Sequence, residues 1–267
     1  MGVDTKKLRN RIKSVDSTLH LTTAMGLVAS SKIRKAMDAM LKSREYAESI
    51  GQVVKNLAGC KECEKSPYMV QRSEGKTCII VIAGDRGLAG GYNSNVFRLA
   101  RQYPDAEFIA IGKRACDIYG GQFSAEYFSF EQASALSKEL CTRFAEGGID
   151  RVGIISTEYI SMMAQESRIS WLLPLSRTEE KADLTGIIFE PDELSVLNTA
   201  VPLYVAGMIV ANVRESFASE VAARRCAMDS AGKNAKQMID DLQLQYNRAR
   251  QSAITQEITE IVAGSGM

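Results

Sequence analysis

Two long helical patterns, one at each end of the 267-residue chain, constrain its fold more than any other feature. The segment from Leu203 to Val262 contains no proline and few glycines, and the segment from Met1 to about Leu57 has the same character. A helix of about sixty residues is roughly 90 Å long, because each residue rises about 1.5 Å. A compact domain of this size does not need two such helices. We therefore expect them to pair with each other and to carry the intervening residues as a globular insert.

The first pattern is a coiled-coil repeat with alternating spacings of four and three residues. The stripe comprises Leu8, Ile12, Val15, Leu19, Thr22, Gly26, Ala29, Ile33, Ala36, Met40, Ser43, Ala47, Ile50, Val54 and Leu57. Its members are bulky at both ends and small in the middle, which lets two backbones approach closely but buries little apolar area. Because burial contributes only about 25 cal/mol per Å², such a pair is weakly stable alone and steadier when other chains surround it.

The last helix carries a looser apolar stripe. Its members are Ala235, Met238, Leu242, Ala249, Ala253, Ile254, Ile258 and Ile261. Both helices leave the insert at neighbouring points, near residues 57 and 204, so we expect them to run antiparallel. This register places Leu57 near Tyr204 and Leu8 near Ala253, within about one turn, and puts both chain termini at the distal tip.

The residues between the helices alternate strand and helix patterns, which is typical of an α/β domain with a parallel-rich sheet. Strand patterns lie at Thr77–Ala83, Glu107–Ile111, Arg151–Thr157, Ser167–Leu175 and Ile187–Phe189. Helical patterns lie at Asn95–Tyr103, Lys113–Tyr119 and Glu131–Glu146. The predicted fold class is α/β, a long antiparallel coiled coil of the N- and C-terminal helices with an inserted Rossmann-like α/β domain.

The same patterns predict four regions along the chain. They are an N-terminal coiled-coil helix over residues 1–57, a connection over 58–76, an α/β head domain over 77–200 and a C-terminal coiled-coil helix over 203–263.

The bulk charge predicts neither an acidic partner nor a nucleic acid, because the formal net charge is +1. The charge is uneven, since residues 1–57 hold eleven Lys or Arg against five Asp or Glu. This helix could meet an acidic surface or present a solvated face, and the solvated face is the simpler interpretation. No apolar run approaches the length of a membrane span and no signal peptide is evident, so we expect membrane association only through partners.

Cysteine and histidine usage gives little support to catalysis or metal binding. Cys60 and Cys63 form one CxxC, but no second CxxC and no nearby histidine completes a zinc site. We interpret the pair as loop thiols in a reducing compartment, with a redox or labile metal role as the alternative. His20 is the only histidine, so a Ser-His-Asp triad also lacks support. We predict no catalytic residue, no metal and no cofactor.

A glycine-rich turn, GDRGLAGGYN, follows the first strand pattern and precedes a helix. Its glycines are Gly84, Gly87, Gly90 and Gly91. The context is typical of a phosphate-binding loop, but the spacing matches neither GxGxxG nor GxxxxGK[ST]. We therefore predict a structural turn, in which glycine permits a positive φ or a close backbone approach.

Polar groups crowd the last helix where its apolar stripe narrows. They are Arg248, Arg250, Gln251, Thr255, Gln256, Glu257 and Glu260. Taken alone, they fit a solvated helix face. They also fit a helix tip embedded among other subunits, which would need such anchors.

Short motifs spread along the chain point to a known family. They are RIKSV at 11–15, AM at 24–25, DRGL at 85–88, GGYNSN at 90–95, LLPL at 172–175, FEP at 189–191, YN at 246–247, ARQ at 249–251, ITQE at 254–257 and EIV at 260–262. In this order they resemble the γ subunits of bacterial F-type ATP synthase over nearly the whole chain. Ser17, Leu19, His20, Thr23 and Gly84 depart from the family's usual residues. His20 and Thr23 stand where lysine is common, which softens the positive charge expected near Met25.

The resemblance implies a non-catalytic rotor shaft that couples ion-driven rotation of the membrane c-ring to ATP synthesis or hydrolysis in a hexamer of α and β subunits. It implies the α, β and ε subunits and the c-ring as partners, and a peripheral location on the cytoplasmic side of a bacterial cell membrane. It also implies a set of hexamer coupling contacts. They are Met25, Arg250, Gln251, Thr255, Gln256 and Glu257.

Three other interpretations compete with this one. The chain could be the central stalk of another rotary ATPase, although the ITQE and GGYN motifs weigh against that. It could be a coiled-coil tether without a motor, or an enzyme built on the α/β head, which the failed phosphate-loop spacing disfavours.

Overall fold

The computed structural model describes residues 2–72, 75–177 and 189–265, with side chains from residue 5 onward. The chain forms two compact units. The helix-pair unit lies within residues 1–30 and 225–267, and the sheet unit comprises residues 31–224.

Long helices open and close the described chain. The helices are α1 (Gly2–Ala58), α2 (Tyr92–Ala100), α3 (Lys113–Tyr119), α4 (Phe130–Ala145) and α5 (Glu193–Gly264). The strands are β1 (Thr77–Ile82), β2 (Glu107–Ile111), β3 (Arg151–Tyr159) and β4 (Gln165–Leu173). Two short 3-10 helices, Glu62–Lys65 and Pro67–Met69, lie between α1 and β1.

The sheet has four strands in the order β2-β1-β3-β4. The central strand β1 pairs in parallel with both neighbours, so that Val81 lies beside Ala110 and Ile155. Strand β4 adds antiparallel to β3. The predicted fold class, an α/β insert between long terminal helices, is confirmed. The strand predicted at Ile187–Phe189 lies largely outside the described residues.

Strand β1 sends alternate side chains into two cores, as its continuous apolar sequence predicts for a strand covered on both faces. Cys78, Ile80 and Ile82 belong to the core that includes residues of α4 and α5. Ile79 and Val81 belong to the core that includes residues of α2 and α3. The sheet is therefore the middle layer between two groups of helices.

The predicted α1 stripe is confirmed, because every one of its members is buried or half-buried. Within the sheet unit, α1 and α5 run antiparallel and approach closely at glycines. A Cβ added at Gly51 would lie 3.7 Å from the Tyr204 ring, and one added at Gly207 would lie 2.8 Å from the Tyr46 ring. The register thus differs from the prediction, which placed Leu57 rather than Gly51 at Tyr204.

The register differs because α5 begins at Glu193, well before the predicted start at Leu203. The predicted helix started just after Pro202, but Pro202 lies inside the observed helix. Proline removes one backbone donor from a helix interior. Its own carbonyl is held from outside, since the Ser137 hydroxyl donates to it at 2.5 Å.

The first part of α5 also corrects the expectation about apolar runs. An 18-residue window of α5 has the length and composition of a membrane span, and 44% of that window is buried inside the protein. Its apolar residues serve the core of the sheet unit, where Leu197, Val201, Val205 and Ile209 are fully buried. A helix buried in a protein core can be as apolar as a membrane helix. The packing of these side chains in the core explains why this part of α5 is so apolar.

In the helix-pair unit, α1 and α5 again run antiparallel. A Cβ added at Gly26 would lie 3.6 Å from Met228, and one added at Gly232 would lie 3.8 Å from Leu19. The predicted pairing of Leu8 with Ala253 is displaced from this register by about two turns.

The α5 stripe in this unit is narrower than predicted. Ala235 and Leu242 are buried, but Met238 is exposed and Ile239 takes its place as a half-buried residue. Every α5 residue after Ala253 is exposed. The observed register places the first described residue of α1 near this point, so no described residue of α1 continues alongside the end of α5.

Candidate functional site

The predicted coupling residues lie in the helix-pair unit. The five on α5, from Arg250 to Glu257, are exposed, and Met25 on α1 is half-buried. The polar contacts at the end of α5 are local to the helix: the Thr255 hydroxyl donates to the Gln251 carbonyl at 3.0 Å, and the Gln256 amide donates to Glu260 at 2.8 Å. The five side chains on α5 are therefore exposed to solvent.

Met25 and the α5 residues do not form one site. The neighbour of Met25, Gly26, lies against Met228. Arg250 lies 22 residues further along α5 than Met228, a distance of roughly 33 Å at 1.5 Å per residue. The predicted contacts therefore form two bands, one around Met25 and one from Arg250 to Glu257.

Exposed apolar side chains accompany both bands. Leu21, Leu27 and Val28 flank Met25, with Leu27 63% exposed. The terminal band continues into Ile258 and Ile261, with Ile261 69% exposed. Large apolar side chains grouped on a helix surface are typical of a surface that other chains cover. The sequence prediction missed Leu21, Leu27 and Val28. The available signal was that these three large apolar residues lie outside the four-three stripe, so the pairing of α1 with α5 does not bury them.

The glycine turn between β1 and α2 is closed by one side chain. The Asn93 side-chain oxygen accepts from the Gly84 backbone amide at 2.9 Å, and its amide group donates to the Arg86 carbonyl at 3.3 Å. The first of these two bonds holds the start of the turn against the first residues of α2, and the second bond steadies its middle.

Two of the four glycines in the turn meet a specific requirement. Gly90 has a φ of 59°, in the left-handed region that favours glycine. A Cβ on Gly84 would lie 2.7 Å from the Glu220 carboxyl carbon, so a larger residue would collide with α5. At Gly87 and Gly91 the nearest atoms would lie 3.6 and 3.7 Å away, which is ordinary contact.

Asp85 connects the turn to the neighbouring segments through several hydrogen bonds. Its carboxylate accepts from the Ser124 hydroxyl at 2.6 Å and from the backbone amides of Lys113, Ala125 and Glu126 at 2.9–3.0 Å. Burial raises the pKa of Asp85, but these hydrogen bonds outweigh it, and the net pKa lies below its ordinary value. These donors lie at the start of α3 and in the segment before α4, so Asp85 anchors the turn to both.

Replacing Asp85 with asparagine should lower the free energy of unfolding by about 2 kcal/mol at neutral pH, because an amide offers one acceptor atom where the carboxylate offers two. The folded-state pKa is depressed, so the stabilisation is present above the unfolded pKa of about 3.9 and is lost as pH falls through the folded value. Urea unfolding followed by the fluorescence of Trp171, the only tryptophan, measures the difference. A gap between Asp85→Asn and the parent that stayed constant down to about pH 3 would contradict this account.

The CxxC pair has the environment of inert thiols. Cys63 is fully buried, and burial, followed by the neighbouring Cys60 and Glu193, raises the pKa of Cys63 to about 11. Burial also raises the pKa of Cys60. A thiolate is the reactive and metal-binding form, so neither thiol is activated at neutral pH. Among the residues described, no cluster of His, Cys, Asp and Glu is arranged to hold a metal ion.

Comparison with known proteins places the chain in a family. A family model described as ATP synthase matches residues 4–266. The ATP synthase gamma chain of Moorella thermoacetica is 38% identical over 274 residues, which is 97% of each chain. That of Ruminococcus albus is 39% identical over 280 residues, again 97% of each chain. The chain belongs to the ATP synthase gamma chain family. The match to both relatives covers 97% of each chain, so it includes nearly all of both long helices.

Solved structures agree on the fold of this gamma chain family member. A chain in the OSCP/F1/c-ring structure of Euglena gracilis mitochondrial ATP synthase aligns with a TM-score of 0.70 at 16% identity, covering 99% of this chain and 94% of that one. A chain in the central stalk/c-ring structure of Tetrahymena thermophila mitochondrial ATP synthase gives a TM-score of 0.59 at 21% identity, covering 79% and 99%. At these identities, the likeness concerns the fold.

Proposed function

We propose that this chain is the central rotor shaft of an F1Fo ATP synthase, coupling ion-driven rotation of a c-ring to ATP synthesis or hydrolysis in an α3β3 hexamer. The observation that carries the proposal is the match to bacterial ATP synthase gamma chains over 97% of both chains. The solved structures that share the fold are parts of mitochondrial ATP synthases that contain the c-ring, in one case with F1, which fits partners at both ends of such a shaft.

The helix-pair unit has the surface that a shaft inside a hexamer needs. A shaft changes a catalytic site only if its contacts differ between that site's states. An antiparallel pair of unlike helices meets this condition, because each rotation angle turns a different set of side chains toward a given β subunit. The band around Met25 is mainly apolar, whereas the band from Arg250 to Glu257 is polar and charged, so the two bands offer different contacts.

Under this proposal, ATP synthesis and hydrolysis take place in other chains of the complex. In this chain, Asp85 of the glycine turn accepts from backbone amides at the start of α3 and in the segment before α4, which gives the turn a structural anchor. The proposed role of the chain is a conformational bias on the β subunits, with the ε subunit and the c-ring as further partners. Its proposed location is the cytoplasmic side of a bacterial cell membrane, held peripherally through the complex.

The complex itself tests the proposal. An affinity-tagged chain, expressed together with the other ATP synthase subunits, should purify with α and β chains so that α, β and this chain are in a 3:3:1 ratio, together with ε. The purified complex should hydrolyse ATP. A visible marker attached to this chain through an antibody to the tag should then rotate relative to the immobilised hexamer. Recovery of the folded chain without α and β subunits would support a tether and refute the rotor.

A further inference from the structure

The glycine turn is the centre of a polar network that connects the sheet to both long helices. All of its members lie in the sheet unit. We name it the turn joint and define it by Lys32 on α1, Asp85, Arg86 and Gly87 in the turn, Glu126 in the segment before α4, and Glu220 and Arg224 on α5. The sequence analysis predicted Gly87 as a glycine of a structural turn, and it did not single out Glu126, Glu220 or Arg224.

The α5 arm of the turn joint is buried. Arg224 donates to the Gly87 carbonyl at 3.3 Å and to the Arg86 carbonyl at 3.4 Å. The same guanidinium pairs with Glu220, and the two side chains are only 12% and 2% exposed. The absence of a side chain at Gly84 leaves the space that the Glu220 carboxyl occupies. The turn and α5 are thus fixed to each other by several directional bonds within one helical turn.

The α1 arm reaches the same turn through Glu126. Lys32 pairs with Glu126 at 2.5 Å, and Arg86 lies 3.9 Å from the other oxygen of that carboxylate. The backbone amide of Glu126 donates to Asp85 at 2.9 Å. Two helices that are far apart in sequence are therefore tied to one rigid loop at the end of β1.

Directional bonds resist a twisting force in a way that apolar contact does not. The hydrophobic driving force is non-directional, so resistance to twist comes from interlocked side chains and from directional polar bonds. A guanidinium with a planar set of donors on two carbonyls and a carboxylate has a fixed geometry, and its charge-assisted bonds are stronger than neutral ones. Burial of the Glu220–Arg224 pair also protects it from screening by salt.

We infer that the turn joint carries torque between the sheet and the two long helices, with Arg224 and Glu220 as its main positioning residues. The inference rests on the proposed rotor function, in which the sheet and the helices must turn together. Under this inference, Gly84 contributes to the stiffness of the turn joint, because the absence of a side chain there lets the buried ion pair contact the turn directly.

The test compares two arginines in the complete, membrane-reconstituted ATP synthase. Arg224→Met removes the α5 arm. The matched control is Arg72→Met, because Arg72 also donates to two carbonyls, those of Phe144 and Ile149, and pairs with a carboxylate, Asp150, but ties no long helix to the sheet. We expect the Arg224→Met complex to pump fewer protons per ATP hydrolysed as the opposing membrane potential rises. The Arg72→Met complex should keep the parent's ratio of protons to ATP.

A single-molecule measurement supplies the mechanical readout. With the hexamer fixed and a bead on the sheet unit, the angular fluctuations of the stalled rotor report its torsional stiffness. Arg224→Met should broaden these fluctuations and lower the load at which rotation stalls. Parent-like fluctuations and stall load in Arg224→Met would overturn the inference, and so would equal losses in Arg72→Met.

Two further variants keep the test decisive if Arg224→Met folds poorly with Glu220 left unpaired. Glu220→Gln combined with Arg224→Met leaves no buried charge behind, and Lys32→Met removes the more exposed α1 arm alone. Each should lose stiffness while Trp171 fluorescence shows a folded sheet unit. Wild-type stiffness in both would overturn the inference. Failure of the parent complex to rotate at all would instead refute the proposed function.

Discussion

Replacing Gly112 with alanine should lower the free energy of unfolding of the sheet unit by about 4 kcal/mol, one of the largest effects a single methyl group can have. Gly112 has a φ of 96°, which side-chain-bearing residues rarely adopt, and an added Cβ would lie 1.9 Å from the Ala83 carbonyl oxygen. Neither backbone can yield easily. Ala83 donates to the Ile111 carbonyl at 2.9 Å, and Gly112 donates to the Phe123 carbonyl at 2.9 Å.

Gly120 provides the matched control, because it caps the other end of the same helix, α3. Its φ is 81°, but an added Cβ would meet no atom within 4 Å. Gly120→Ala therefore isolates the backbone strain, about 1–2 kcal/mol, from the collision. Urea unfolding monitored by Trp171 fluorescence compares the two variants. Equal losses of stability in Gly112→Ala and Gly120→Ala would show that the collision is relieved by movement of the backbone.

The strands and short helices of the sheet unit were largely predictable from sequence. Glu107–Ile111 and Lys113–Tyr119 have the predicted bounds, and β1 differs from its prediction by one residue. These elements are short, have clear periodicity and end at glycines or polar turns, so local signals determine them. The predicted helix Asn95–Tyr103 begins instead at Tyr92, because Asn93 closes the glycine turn from within the first turn of α2.

The long helices show where local signals fail. Their existence and apolar stripe followed from the four-three spacing, but their register depended on where α5 begins. The predicted helix started after Pro202, whereas the observed helix begins earlier and includes Leu197 and Val201, which are fully buried in the core. Such tertiary contacts outweigh a local preference, and no sequence pattern reports their strength.

The glycine turn illustrates the same limit at the level of a site. Its spacing predicted a structural turn and not a phosphate loop. The partners of the turn were not predictable, because Glu220 and Arg224 lie more than a hundred residues away on α5. An i, i+4 pair of Glu and Arg within a largely apolar stretch of helix was the one available signal, and it is equally typical of a solvated helix face.

The predicted coupling contacts were placed by resemblance to a family, and the structure adds their spacing. Met25 and the band from Arg250 to Glu257 lie roughly 33 Å apart along the helices. Two bands at such a separation cannot contact the same region of a surrounding subunit. We therefore expect substitutions in one band to be additive with substitutions in the other, since distant sites rarely share partners.

Ending the chain at Ala253 should reduce proton-driven ATP synthesis about tenfold, the effect of losing roughly 1.4 kcal/mol of interface energy. This truncation removes Thr255, Gln256 and Glu257 together with the exposed Ile258 and Ile261. Every described residue it removes is exposed, so the Trp171 unfolding transition should shift by less than about 0.5 kcal/mol. Synthesis and unfolding are measured on the same preparation, with the subunit ratio checked first.

The specific roles of Gln256 and Glu257 are tested in the full-length chain. Changing both to alanine should lower the ATP synthesised per proton translocated. The same double change at Lys236 and Gln237, two exposed neighbours on the same helix, should have a smaller effect. These positions lie between the two proposed bands, so they control for the loss of helix-surface polarity alone. Parent-like coupling in the Gln256 and Glu257 variant, in a normally assembled complex, would remove both residues from the coupling surface and leave the exposed isoleucines to account for any effect of the truncation.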